Sequence, residues 1–121
     1  MSGFPVFDGH NDLTLRLLRG DVTAEGVAEG LADGHIDKPR AVRGGFGGGM
    51  FAIFVPSPGN KDVRHDEMRN ASYDIPLPDP VPEGEALAWT ERGFDVMQDL
   101  EGAGAVRICR TAEEVASAPS I

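Results

Sequence analysis

The feature that most constrains the fold is an uninterrupted apolar run, Met50–Val55, with the sequence MFAIFV. A strand with one face in water alternates apolar and polar residues, whereas this run is apolar on both faces. Pro56 and Pro58 end it, well short of the roughly 20 apolar residues that a membrane helix needs. The run therefore predicts a strand buried between the layers of a parallel sheet, and hence an α/β fold.

The elements predicted around this strand alternate as an α/β fold requires. Gly20 ends the first helix, and the capping box formed by Thr111 and Glu114 opens the last one, which stops by Pro119. The first half of the chain is predicted to form a buried strand at Phe4–Phe7 that ends at Asp8-Gly9-His10, a helix at Leu13–Arg19, and an exposed turn or short helix at Val22–Ala32. The strand at Met50–Val55 comes next, followed by a helix at Glu85–Gly102, a strand at Ala105–Cys109 and the last helix. The apolar positions of the long helix are Leu87, Phe94, Met97 and Leu100. No repeat or linker divides residues 1–121, which we take as a segment of a single domain.

Two segments are predicted to be irregular. Five glycines surround Phe46 between positions 44 and 49, but neither a helix nor a Lys with Ser or Thr follows, as a phosphate-binding loop requires. We interpret the stretch as a flexible turn that needs close backbone approach. Residues 59–82 are polar and rich in proline, which predicts a long surface loop, and Pro39 argues against a central strand before the glycines.

Charge and composition exclude several classes of function. The formal net charge of −9 repels phosphate backbones and anionic membranes, so we expect neither nucleic acid nor a membrane as a partner. A hydrophobic content of 40% with 26% charged residues is typical of a folded soluble protein. The single Cys109 rules out an internal disulfide, and no signal peptide is visible at the N-terminus. We expect a cytoplasmic protein.

His10 and Asp12 form the pattern that carries chemistry, an H-x-D pair at the end of the first predicted strand. In extended backbone, residues two apart point to the same side, so an imidazole and a carboxylate can converge on one divalent cation. Active sites of barrel enzymes lie at such strand ends. The pair alone is a weak signal, because the alternative is a turn in which Asp12 caps the next helix.

The surrounding residues resemble a known family. Phe7–Leu13 (FDGHNDL) is similar to the opening motif of the renal or membrane dipeptidases of the amidohydrolase superfamily, and His35–Arg40 (HIDKPR) resembles their H-[IV]-D-L-P-R segment. The stretch from Gly44 to Pro56 resembles their glycine-rich turn and second barrel strand. The three blocks occur in the order and at the separations of that family.

The resemblance implies the N-terminal third of a (β/α)8 TIM-barrel metallohydrolase, a zinc-dependent dipeptidase with two metal ions and dipeptide substrates. By matching position, His10 and Asp12 would be ligands of the more buried zinc, and Asp8 would support the metal-site loop through hydrogen bonds. The bridging glutamate, the two histidines of the second zinc and the aspartate for proton transfer come from later strands in the family. Lys38 stands where leucine is common, which we interpret as a surface change. Phe54 and Val55 stand where many relatives carry a tyrosine, so no substrate contact is assigned there.

The 121 residues are too few for a complete barrel, which needs about 250. Catalytic zinc usually has three protein ligands, whereas this chain is predicted to supply two. We therefore expect the 121-residue chain to bind metal poorly and to be inactive alone. Its open sheet edges predict partial unfolding, a homo-oligomer, or pairing with a complementing C-terminal segment.

Two alternatives stay open: a non-catalytic barrel fragment or binding module that docks with a separate chain, and a different amidohydrolase such as a deacetylase or lactonase. The second and third blocks favour the dipeptidase over the latter.

The remaining polar candidates have plainer interpretations. We expect His35 to make a structural hydrogen bond and His65 to be a solvated loop residue. We predict that the acidic residues in and beside the long helix lie on its solvent-exposed face: Glu83, Glu85, Asp99 and Glu101.

Overall fold

A computed structural model describes residues 5–58 and 66–117 of the chain. Two parallel strands form its sheet, and three short helices connect them, as a parallel pair requires. The elements in chain order are β1 (Val6–Asn11), α1 (Leu13–Leu18), α2 (Ala24–Glu29), α3 (Lys38–Gly44), β2 (Phe46–Phe51), a short 3-10 helix (Glu67–Arg69), α4 (Glu83–Gly102) and α5 (Ala112–Ser117). The predicted mixed α/β class with a parallel sheet is confirmed.

The first strand lies slightly later in the chain than predicted. β1 spans Val6–Asn11, whereas the predicted strand covered Phe4–Phe7 and ended at Asp8-Gly9-His10; Phe4 lies outside the described residues. The pairing register places Asn11 beside Phe51, and the Ala52 N–H donates to the Asn11 carbonyl oxygen at 2.9 Å. The residues that follow β2 therefore lie next to the end of β1.

Gly47, Gly48 and Gly49 lie within β2, so the prediction of a turn there, before a strand at Met50–Val55, was wrong. Gly45, left-handed at the C-cap of α3, does form a turn before β2. A Cβ added at Gly47 would lie 2.7 Å from Pro5 Cβ, and one at Gly49 would lie 3.1 Å from Asp8 Cβ. The glycines let side chains of the preceding segment and β1 lie against β2, which is the close approach that the sequence indicated. Residues 52–57 have no regular secondary structure.

The helices leave part of the sheet uncovered. Phe51 packs against the core between the helices, but Met50 is 62% exposed and Phe7 is 56% exposed. The prediction that both strands are buried was therefore wrong for the residues that the structure describes.

The core lies between α1, α2 and α4, and its most buried side chains include Leu13, Val27 and Leu100. The segment Val22–Ala32 does contain a short helix, capped by Thr23, whose Oγ accepts from the Gly26 N–H at 3.0 Å. Its prediction as exposed was wrong, because Val27 is 2% exposed.

Helix α4 packs against α1 and α2 and lies against the chain after β2, and its range is close to the predicted one. Leu100 is buried and Met97 packs against the core, whereas Leu87 and Phe94 are more than half exposed, contrary to the predicted apolar face. Gly93 is buried instead, and a Cβ there would lie 2.5 Å from Ile53 Cγ2. The helix approaches the chain after β2 through this glycine.

The predicted strand at Ala105–Cys109 was wrong, since residues 106–110 have no regular structure. Their backbone groups bond elsewhere, because the Ile108 N–H donates to Glu101 Oε1 at 2.8 Å. The predicted capping box is confirmed: the Glu114 N–H donates to Thr111 Oγ1 at 3.1 Å, and the Thr111 N–H donates to the Glu114 carboxylate at 3.3 Å.

The HIDKPR block forms the start of α3. Asp37 is the N-cap, 2% exposed, and its carboxylate accepts from the Leu31 N–H at 3.0 Å and the Arg40 N–H at 2.8 Å. It also pairs with the Arg40 guanidinium. These donors, the Leu31 N–H first, hold the pKa of the Asp37 carboxyl below its usual value. Lys38, interpreted as a surface change, is half-buried and donates to the Gly104 carbonyl oxygen at 2.8 Å.

Within the segment predicted as a long surface loop, residues 66–82 have the 3-10 helix as the one regular element described. His65 falls outside the described residues. Within the described ranges, no helix combines the length and the apolar character needed to span a bilayer.

Gly93→Ala tests the approach of α4 to the chain after β2. The added methyl group collides with Ile53, so we expect the free energy of unfolding to fall by about 1–3 kcal/mol. Gly84→Ala is the matched control, since a Cβ there meets nothing within 4 Å, and we expect no loss or a gain of about 0.5–1 kcal/mol. Urea unfolding followed by circular dichroism measures both; equal effects would contradict the packing.

Asp37→Asn tests the carboxylate at the start of α3. Because the pKa of Asp37 is lowered on folding, its ionised form stabilises the native state above the unfolded value, near 3.8, and that contribution is lost as pH falls through the folded pKa. We expect the variant to be less stable at pH 7 and the difference from wild type to shrink below pH 3.8. Asp95→Asn, at an exposed position of α4, is the control. A pH-independent difference would refute this account.

Candidate metal centre

His10 and Asp12 leave the carboxyl end of β1 on one side. His10 is the penultimate residue of the strand, and Asp12 is the residue between β1 and α1. Their side chains are 67% and 55% exposed, so both present polar atoms to the surface at this end of the sheet.

The two side chains converge as the H-x-D spacing predicted. His10 Nε2 lies 3.3 Å from Asp12 Oδ1. Two ligands of a tetrahedral zinc ion, each about 2.1 Å from the metal, lie about 3.4 Å apart. The same separation also allows a hydrogen bond between imidazole and carboxylate. The donor set and its spacing thus fit a divalent cation, while the role of both residues as ligands stays a prediction.

The alternative role of Asp12 as a helix cap is not observed. Asp12 occupies the N-cap position of α1, but its side chain gives no hydrogen bond to the amides of that helix. The Leu13 N–H donates instead to Asn11 Oδ1 at 3.2 Å. The Asp12 carboxylate is therefore directed at His10 rather than used for capping.

Asp8 holds the backbone of this segment. Its Oδ1 accepts from the His10 N–H at 3.2 Å, and its Oδ2 accepts from Asn11 Nδ2 at 2.9 Å. The predicted support by Asp8 is thus directed at the His10 backbone and at Asn11. No role was predicted for Asn11 from the sequence. The sequence shows only an asparagine shortly before a helix, and asparagine is common in turns.

Within residues 5–58 and 66–117, no group of three or more His, Cys, Asp and Glu side chains is arranged to hold a metal ion. The structure thus brings together two of the predicted donors. His35 is exposed and lines a small cavity of about 170 Å³ with Val6 and Phe46, at the opposite end of the strands from His10.

Side chains of helix α4 donate hydrogen bonds to the chain after β2 and to the end of α1. Trp89 Nε1 donates to the Phe54 carbonyl oxygen at 2.6 Å, just beyond β2. Arg92 lies over the Trp89 ring, 5.1 Å from its centre, and donates to the Leu18 carbonyl oxygen at 3.3 Å. The chain after β2 and the end of α1 are thus tied to the same helix.

The family follows from comparison with known proteins. The model of membrane dipeptidases, peptidase family M19, matches residues 1–120. The chain belongs to this family, whose solved members below are metallopeptidases, and the resemblance seen in the sequence is confirmed.

Two solved structures are similar to the chain. One is a metallo peptidase from Rhodobacter sphaeroides, liganded with a phosphinate mimic of the dipeptide L-Ala-D-Ala; it is 40% identical, with a TM-score of 0.83. The other is the dipeptidase AC, a metallo peptidase of family M19, also 40% identical, with a TM-score of 0.81. Each match covers 95% of this chain but 34% and 33% of the solved chains, respectively. The chain thus spans about a third of their length.

A third relative is an uncharacterized protein in the PQQ-III 3' region of Acinetobacter calcoaceticus. It is 49% identical over 55 residues, which are 43% of this chain and 17% of that protein.

Proposed function

We propose that His10 and Asp12 supply two ligands of a zinc site in an enzyme that hydrolyses dipeptides, and that the other ligands come from the part of the relatives' length that this chain does not span. The observation that carries the proposal is the 3.3 Å approach of His10 Nε2 to Asp12 Oδ1, in a chain of the M19 family. The phosphinate dipeptide mimic bound by the Rhodobacter sphaeroides relative supports a dipeptide as substrate.

The two side chains differ in what they offer a cation. Asp12 provides a negative charge, and His10 provides a neutral nitrogen donor once Nε2 carries no proton, so protons compete with the metal for this atom. Two zinc ions, when bound, supply a water of lowered pKa and polarise the scissile carbonyl. Two protein ligands hold zinc weakly, so in our proposal this chain contributes half of a site and is inactive alone.

The fold supports a barrel around this site. β1 and β2 are parallel neighbours, and the donor pair lies at the carboxyl end of β1, the end at which (β/α)8 barrels carry their active sites. Met50 and Phe7 are exposed on the sheet, where further strands and their side chains would cover them. We propose that a complementing segment supplies those strands. A homo-oligomer is the other arrangement that would cover them.

A non-catalytic fragment that docks with a separate chain is the second candidate. It is favoured by the finding that the described residues bring together only two donor side chains. The two candidates differ in whether the completed assembly needs His10 for chemistry.

Zinc titration tests the donor pair. Followed by NMR on the 121-residue chain, it should show weak binding that His10→Ala or Asp12→Ala weakens by roughly tenfold or more, because each removes one of two ligands. His35→Ala is the control, since His35 lies at the other end of the strands and its loss should change nothing. Equal affinities of wild type and His10→Ala would remove His10 from the site.

Complementation tests the activity. The chain would be combined with a polypeptide that corresponds to the remaining two thirds of the Rhodobacter sphaeroides relative, and hydrolysis of L-Ala-D-Ala would be measured with added zinc. We expect activity from the pair, none from the chain alone, and its loss with His10→Ala. A stable complex without activity would favour the non-catalytic module.

A further inference from the structure

Asn11 stands between the two proposed ligands and points the opposite way. His10 and Asp12 are exposed, whereas Asn11 is 8% exposed. A buried carboxamide has two N–H donors and an acceptor oxygen, and leaving them unpaired costs stability. Its surroundings therefore have to supply partners, and those partners show what Asn11 does.

The Asn11 side chain connects the residues on both sides of the ligand pair. Its Nδ2 donates to Asp8 Oδ2 at 2.9 Å, and Asp8 Oδ1 accepts from the His10 N–H at 3.2 Å. Its Oδ1 accepts from the Leu13 N–H at 3.2 Å. We call these three hydrogen bonds the Asp8–Asn11 bracket. It begins at the backbone of His10 and ends at the residue after Asp12.

Pairing with β2 holds the backbone of this segment from one side, and the bracket is the side-chain hydrogen bonding that fixes it from within. Gly9 has no side chain, and a Cβ there would meet nothing within 4 Å. The exposed side chains of His10 and Asp12 bond to each other. A metal site requires its ligands to be held to within roughly 0.5 Å, which calls for hydrogen bonds that fix the backbone from which they extend.

We propose that Asn11 is a positioning residue for the metal site, acting with Asp8 to set the directions in which His10 and Asp12 leave the backbone. The inference rests on the proposed function, since it assumes that this pair binds a cation. Asparagine suits the position because it donates toward a carboxylate and accepts from an amide at the same time. Aspartate at 11 would place two carboxylates in contact, and alanine would leave the Leu13 N–H without this partner.

An exchange of the two side chains tests the bracket. Asp8→Asn and Asn11→Asp each create a mismatched pair, but the double variant restores all three hydrogen bonds with the middle one reversed, at unchanged net charge. We expect either single variant to weaken Zn²⁺ binding by 10–100-fold, as loss of support around metal ligands typically does, and the double variant to recover to within about threefold of wild type.

Amide hydrogen exchange of His10 and Leu13 provides a readout without metal. Protection at both amides should fall in the single variants and return in the exchanged one, which shows that the bracket was broken and rebuilt. The free energy of unfolding is measured in parallel, so that zinc affinities are compared for folded protein.

The outcomes separate the inference from the proposed function. If amide protection falls and returns while Zn²⁺ affinity stays constant, the bracket is structural only and the inference is overturned. If the single variants weaken binding and the exchange does not restore it, the inference is also overturned, because hydrogen bonding is then not the cause. Failure of the proposed function shows differently, as a Zn²⁺ affinity that does not change in His10→Ala.

Discussion

Parallel pairing of β1 with β2 is the interaction on which the rest of the structure depends. A parallel pair needs a long crossover, which α1, α2 and α3 provide, and it places the carboxyl ends of both strands at one edge. The Ala52 N–H, bonded to the Asn11 carbonyl oxygen, continues the pairing past β2. The donor pair is therefore built at the one edge where the neighbouring strand also ends.

The pairing explains both the glycines and the exposed apolar residues. Gly47 and Gly49 let Pro5 and Asp8 lie against β2, which side chains at those positions would prevent. Met50 and Phe7 remain exposed, although parallel sheets are normally covered on both faces. In solved relatives about three times as long, the same fold is one part of a larger chain.

Elements with local signals could be predicted from the sequence, whereas those that depend on distant partners could not. Thr111 with Glu114 predicted the start of α5 because both partners lie within one turn. Ala105–Cys109 has the composition of a strand, but a strand needs a neighbour, and Glu101 takes the Ile108 N–H instead. The exposure of Leu87 and Phe94 likewise depends on which face of α4 meets the core. At the site, the spacing of His10 and Asp12 predicted their convergence, whereas the bracket depended on hydrogen bonds that no pattern specifies.

Among the three helices that connect β1 and β2, Asp12 differs from the other two N-cap residues. Thr23 and Asp37 occupy the N-cap positions of α2 and α3, and both side chains accept from backbone amides there. Asp12 has the same position in α1 and is equally suited to capping, yet the Leu13 N–H bonds to Asn11 and the Asp12 carboxylate turns to His10. A residue that departs from a local rule that α2 and α3 both obey is the kind expected at a functional site. Asn11 takes over a contact at the helix start, so Asp12 is free for the cation that we propose, and α1 still begins at Leu13.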